Sequence, residues 1–241
     1  SMGSQTKIKL IDYDIELKPL TVIIGKNPVE LSLLLRRLWA SVGANDTAYL
    51  PAGRACTADA YDRLKLTKSA ELLLRDVGIE LHVAPTAYVR TWSGEGFELA
   101  RAPPNVREVI AAVSALSSDE FCFVFIEEPE AHLHPSAQRL MARVIAEAVN
   151  RGKFVTITTN SDYLVGELNI LIALSSAPED VRRRLGYRDA EVLKPELAAA
   201  YLVKAEDSRT VIERLEVDDD IPEDEFARAA EEILKIRNEL Y

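Results

Sequence analysis

Six apolar residues, Phe121 to Ile126, run straight into Glu127-Glu128-Pro129 and then into Glu130-Ala131-His132-Leu133-His134-Pro135. A continuous run of aromatic and β-branched residues suits a strand buried on both faces, the habit of parallel sheets covered by helices. Carboxylates closing such a strand lie beyond the carboxyl edge, where open α/β sheets bind ligands. Glu127 has the chemistry to hold a divalent cation, and Glu128 to orient or deprotonate a water. A solvated strand end would read the same way, so the pair alone does not decide.

The 241 residues leave room for one large α/β domain or two small ones. With 48% hydrophobic and 28% charged residues and few glycines, the chain is globular rather than disordered. A net charge of −10 disfavours wholesale binding to a phosphate backbone; the basic run Arg182-Arg183-Arg184 with Arg188 is the one local exception. Cys56 and Cys122 form neither a disulfide framework nor a zinc spacing, which fits a reducing, cytoplasmic setting. No apolar run approaches the ~18 residues of a membrane span, and no signal peptide is visible. Glutamine is confined to Gln5 and Gln138 while Glu, Arg and Leu abound, a bias of thermophilic proteins.

Along the chain, Lys7 to Leu17 alternates as a strand or short hairpin. Leu20 to Ile24 reads as a buried strand, followed by Gly25-Lys26-Asn27-Pro28 and a helix whose face is Leu31, Leu34, Leu35 and Leu38. Strand, glycine turn and helix are the context of a phosphate-binding loop. Residues 41–60 read as loop, 60–76 as an amphipathic helix ending at Gly78, and 79–101 as antiparallel strands with a hairpin at Ser93 to Gly96. Val106, Ile110, Val113 and Leu116 define a helix leading into the opening strand, and Pro135 starts the next one. Phe154 to Thr159 is another buried strand, and Asp162 is placed to cap the helix Tyr163 to Ile172. Residues 190–217 read as two strands around Glu206 to Arg209. The last helix starts at Pro222, and its seam of Phe226, Ala229, Ile233, Ile236 and Leu240 is expected to dock on the chain's own core, with a partner helix as the alternative.

Three pieces stand in a recognisable order: LTVIIGKNPVELSLL, FVFIEEPEAHLHP and FVTITTNSDYLVGELN. They resemble the ABC-type ATPase heads of the RecF, SMC and OLD group, particularly small archaeal and bacterial single-chain members. The resemblance implies a P-loop NTPase fold: an α/β head with a mixed central sheet and a smaller antiparallel β lobe. The β lobe is expected mainly at 1–20 and 79–101, and the core mainly at 20–41 and 105–241, making 1–241 one head. It implies a nucleotide site at Gly25, Lys26, Asn27, Ser32 and Asn160, magnesium at Glu127 and Ser32, and Glu128 as hydrolytic base. Ala131 to Pro135 would cross a head-to-head dimer interface; His132 and His134 read alternatively as metal ligands, with no third ligand evident. Residues 55–78 leave no room for a long coiled-coil insertion, and any nuclease of the OLD type would be a separate partner.

Three places depart from the family pattern. The phosphate loop G-x-x-x-x-G-K-[ST] here reads Gly25-Lys26-Asn27-Pro28-Val29-Glu30-Leu31-Ser32. Pro28 has no N–H to offer, and Leu31 lacks the ammonium that reaches the β- and γ-phosphates. Glu30 sets a carboxylate beside a polyanion site; at ~4 Å and an effective dielectric of about 20, one such pair costs about 4 kcal/mol. Lys26 is the one nearby cation that could reach in. The Ser–Gly signature turn is replaced by Arg101-Ala102-Pro103-Pro104-Asn105-Val106-Arg107-Glu108, and the switch Thr-His-Ser by Thr159-Asn160-Ser161. The reading that follows is a pseudo-ATPase that binds no cofactor and pairs with a protein partner or with itself through the head face, with DNA maintenance as the role that family analogy offers. The alternatives are an ATPase that binds or slowly hydrolyses Mg-ATP with Glu128 as base, and a nucleic-acid binder without nucleotide control. No membrane partner is expected.

Overall fold

The computed structural model describes residues 6–10, 13–43, 45–53, 65–83 and 87–240. Cys56 and the 60–64 part of the expected helix lie outside them.

Thr6–Leu10 (β1) and Tyr13–Leu17 (β2) pair as an antiparallel hairpin. Leu20–Gly25 (β3) leads through Lys26 and Asn27 into Pro28–Val42 (α1). Thr47–Leu50 (β4) follows, inside the stretch expected to be loop. Its four residues are too few for alternation to show, and it is a strand because Phe123–Glu127 (β8) pairs with it in parallel. Lys68–Asp76 (α2) starts later than the reading at 60, with the Thr67 hydroxyl accepting from the Ala70 amide as its cap. Ile79–His82 (β5), Tyr88–Thr91 (β6) and Gly96–Glu98 (β7) form a separate three-stranded antiparallel sheet. The two antiparallel pieces expected as one lobe are therefore two sheets.

Pro104–Ser117 (α3) precedes β8. The strand begins at Phe123, so Phe121 and Cys122 lie before it and are only half-buried. Pro135–Asn150 (α4), Phe154–Thr159 (β9), Asp162–Ala173 (α5) and Glu179–Arg184 (α6) come next. The cap of α5 is Ser161, whose hydroxyl accepts from the Leu164 amide, rather than Asp162, which is the first helical residue. Ala198–Glu206 (β10) and Arg209–Leu215 (β11) make the expected terminal hairpin, and Asp224–Leu240 (α7) starts two residues later than read.

The central sheet has the order β11-β10-β3-β9-β8-β4, parallel except for β11. The inner strands β3, β9 and β8 are buried on both faces, as parallel strands covered by helices are. On one face Val22, Val124, Ile126, Val155 and Ile157 meet the helices α3, α4 and α5. On the other, Ile23, Phe125, Ala199 and Tyr201 meet Leu31, Leu34, Leu35 and Leu38 of α1 and Ile15 and Leu17 of β2. Each of those buried leucines contributes about 2 kcal/mol of apolar burial, an upper bound because the unfolded chain is partly collapsed. The Tyr201 hydroxyl, fully enclosed, accepts from the Glu16 amide at 2.9 Å and donates to its carbonyl at 3.2 Å, pinning the hairpin to β10.

α7 contradicts its expected role. No residue of it is buried, and every residue from Ala227 to Leu240 is exposed. Only Phe226, in the first turn, packs against the core. No helix among the described residues is long and apolar enough to cross a membrane.

Candidate functional site at the carboxyl edge of the sheet

Parallel pairing brings the carboxyl ends of β3, β9 and β8 to one edge, with β9 between the other two. Gly25, Asn160 and the Glu127–Glu128 pair, distant in sequence, are thereby placed in a row. Gly25 is needed where it stands: a Cβ there would meet the Val203 carbonyl at 2.9 Å and Leu31 Cδ2 at 3.0 Å.

The turn after β3 is short and closed on itself. The Asn27 side chain caps α1, its Oδ1 accepting from the Val29 amide at 3.0 Å and the Glu30 amide at 3.4 Å. The Leu31 amide donates to the Asn27 carbonyl at 3.1 Å. Pro28, the first helical residue, has no N–H. The donors that a helix N-terminus offers to an anion are thus each absent or taken within the turn. Leu31 is only 3% exposed and belongs to the apolar cluster under α1. Ser32 is half-buried in α1, and Lys26 is exposed.

A groove of about 460 Å³ brings Gly25, Lys26, Asn27, Glu30 and Asn160 together with the end of β10 and the first turns of α7, including Phe226 and Arg228. Among the described residues its walls do not include Ser32, Glu127 or Glu128. Of the six residues proposed for nucleotide and hydrolysis, four share this groove; Ser32 and Glu128 do not.

Glu127 closes β8 and is buried. One of its carboxylate oxygens accepts from the Tyr49 hydroxyl and the other from the Ala52 amide at 2.9 Å. Arg36 Nε donates in turn to the Tyr49 oxygen at 3.4 Å. Burial and the hydrogen bond to Glu127 push the Tyr49 phenol up to about 12. Tyr49 and Ala52 lie on and after β4, so the unread strand carries the partners of the most prominent acid in the sequence.

Glu128 has φ +46°, a region costly for a residue with a side chain. Its amide donates to the Thr158 carbonyl at 2.9 Å. The next acid, Glu130, accepts from Thr159 Oγ1 at 2.7 Å and the Asn160 amide at 3.2 Å, tying the loop after β8 to the end of β9. Burial lifts Glu130 above the usual carboxylate range despite these donors. Gln138 adds a second tie, donating to the Leu133 carbonyl at 2.9 Å and accepting from the Ser161 hydroxyl. Glu130 and Gln138 were legible only as members of a motif and of a scarce residue type; the pairing of β8 with β9 gives them their partners.

The two histidines serve different neighbours. His132, at φ +64°, meets Glu108 of α3 at 2.8 Å, and His134 Nδ1 accepts from the Ser136 amide at the start of α4. Among the described residues no group of three His, Cys, Asp or Glu side chains could hold a metal ion. Three of the four arginines of the basic run are paired, while Arg184 is exposed. Arg182 pairs with Asp189 and Arg183 with Glu179, while Arg188 reaches Glu147 and Glu191.

Residues 111–165, from the middle of α3 into α5, match the family model of the AAA ATPase domain. Over that segment this agrees with the resemblance of the sequence to ABC/SMC-type P-loop ATPase heads. Among solved structures it is similar to an SMC head domain from Thermotoga maritima, at 11% identity and TM-score 0.49, covering 85% of this chain and 93% of that one. It is also similar to cbiO1 from Clostridium perfringens, part of the ABC transporter complex cbiONQ, at 12% identity and TM-score 0.44, covering 92% and 88%. A third is an Smc head domain from Pyrococcus furiosus with an extended coiled coil, bound to the C-terminal domain of ScpA. It has 10% identity and TM-score 0.41, and the likeness covers 70% of this chain and 36% of that one. No curated protein matches in sequence.

Proposed function

We propose that the chain is a nucleotide-independent form of this head, acting as a non-hydrolysing scaffold that pairs with a protein through its head face. The observation that carries the reading is the closed turn before α1. Pro28 has no amide, Asn27 takes the next three, and Leu31 is sunk in the core where a phosphate loop would present its lysine. Phosphate binding needs aligned free amides and a cation, and here the first are consumed and the second is absent from its position. The metal side is consistent with this: the Glu127 carboxylate faces hydrogen-bond donors from Tyr49 and Ala52, a poor fit for a magnesium ion. A role in DNA maintenance rests on family analogy alone.

Thermal melting of the full chain with and without Mg-ATP tests the proposal. A nucleotide bound only by the folded state, at about 100 times its Kd, stabilises by about 2.7 kcal/mol, or about 5–10 °C for a chain of this size. The expected shift is none. Saturable binding at micromolar Mg-ATP overturns the scaffold reading.

A second reading draws on the strained backbone at Glu128, since positive φ at a non-glycine residue is a mark of functional loops. It holds that Glu128 deprotonates a water for slow hydrolysis. Phosphate release abolished by Glu128→Gln supports it; release unchanged by that substitution removes it.

A further inference from the structure

The sharpest unassigned feature is the outer part of α7. Ile233, Leu234, Ile236 and Leu240 are 59%, 56%, 55% and 73% exposed, although they are among the most apolar residues of the chain. From Ala227 onward nothing among the described residues covers the helix. A lone helix of this length is marginal in water, because its stability comes from packing an apolar face. The residues are spaced for such packing: Phe226, Ala229, Ile233, Ile236 and Leu240 advance by three and four, the a and d positions of a coiled coil.

The charges beside that seam select the occupant. With Phe226, Ile233 and Leu240 at a, the g positions are Glu225, Glu232 and Glu239, and the e positions are Ala230 and Arg237. In a parallel pair each g residue faces the e residue of the partner's following heptad. Glu232 would then meet Arg237 of a second copy, twice by symmetry. In an antiparallel pair g faces g, which sets glutamate against glutamate. Glu225 is engaged nearer home, with Arg228 at 3.5 Å, and Phe226 with the core, so the free seam begins at Ala229.

We infer that α7 is a self-association element, pairing in parallel with α7 of a second copy along Ala229, Ile233, Ile236 and Leu240 and closed by two Glu232–Arg237 ion pairs. The seam lies beyond Phe226 and Arg228, which border the sheet-edge groove, and the inference does not depend on whether that groove binds nucleotide.

The test is sedimentation velocity of the full chain from about 10 to about 300 µM, a range suited to a seam of barely two heptads. The expected result is a species of twice the chain's mass that gains weight with concentration and disappears in Ile233→Asp/Ile236→Asp. Those residues are exposed in the single chain, so the double variant should keep the wild-type melting profile of the head. Glu232→Lys and Arg237→Glu should each weaken the dimer about fivefold, and the double exchange should restore it. A monomer across the range overturns the inference. So does a dimer indifferent to the two aspartates, which would use another face, or single charge changes that the double exchange fails to rescue, which would exclude the parallel pairing.

Discussion

Arg188→Met tests the energetics that hold α2, α4 and the turn around Glu191 to one another. Arg188 joins three elements: its guanidinium donates to Glu191 at 3.0 Å, to Glu147 of α4 at 3.1 and 3.4 Å, and to Ser69 of α2 at 2.6 Å. Glu191 has no exposed side-chain surface. Removing one member of a buried ion pair costs about 3–5 kcal/mol, because the other is left charged and uncompensated. Two features reduce this. Arg188 is 35% exposed, so solvent screens part of the interaction. Glu191 also keeps Arg143 at 2.8 Å, the Ser69 hydroxyl at 2.9 Å and the Arg188 amide at 3.0 Å. The expected loss is about 2–3 kcal/mol, read as a fall in Tm of about 4–12 °C.

The pH dependence is the stricter part of that test. Burial pushes Glu191 and Glu147 up, but their donors outweigh it: Arg143 with the Arg188 amide for Glu191, Arg188 with Ser69 for Glu147. Both carboxylates end below their ordinary value of 4.5. A carboxylate depressed in the folded state contributes stability that is present above the unfolded value and lost as pH falls through the folded one. The gap between wild type and Arg188→Met should therefore be widest near neutral pH and narrow below about pH 4.5. Urea melts at a series of pH values measure it. A gap under about 1 kcal/mol at neutral pH, or one that does not close in acid, refutes the reasoning.

Two further outcomes follow from the site. Asn27→Ala removes the cap of α1 and should destabilise by about 1 kcal/mol, with a midpoint shift in urea and an unchanged slope. Tyr49→Phe leaves Glu127 with one donor fewer, which costs about 1–3 kcal/mol; in a spectrophotometric titration it should also delete the tyrosine that wild type holds un-ionised until about pH 12.

The sheet was legible because its inner strands are written as uncharged runs of apolar and β-branched residues. Leu20 to Ile24, Val124 to Ile126 and Val155 to Thr159 announce burial on both faces, and burial on both faces implies helices on each side. β4 was not legible, since Thr47–Leu50 acquires strand geometry only from its neighbour. With it went Tyr49 and Ala52, the donors to Glu127. The seam of α7 was correctly spaced but wrongly placed: periodicity says that a face is apolar, not what covers it. The basic run shows the same limit, for Arg182, Arg183 and Arg188, a row of cations in sequence, are ion-pair partners in space.

On the scaffold reading, the turn before α1 also serves the fold, which would separate replacement from mere loss. Asn27 occupies the amides a phosphate would need and in doing so caps the helix. Leu31 stands where a phosphate-binding lysine would be and in doing so fills the cluster between α1 and the sheet. Free energy that a ligand would supply is supplied internally, so restoring the ligand motif should cost stability. Pro28→Gly/Glu30→Gly/Leu31→Lys restores the missing amide, the second glycine and the lysine. It surrenders about 2 kcal/mol of leucine burial, about 1 kcal/mol for each glycine set in the helical turn, and more where an ammonium enters an apolar cluster. A loss of at least about 4 kcal/mol follows, or a Tm lower by about 8–16 °C. Mg-ATP should not recover it unless Asn27 also releases its amides. A triple variant as stable as the wild type would mean that the turn is still a phosphate loop in waiting, and the scaffold reading would fall with it.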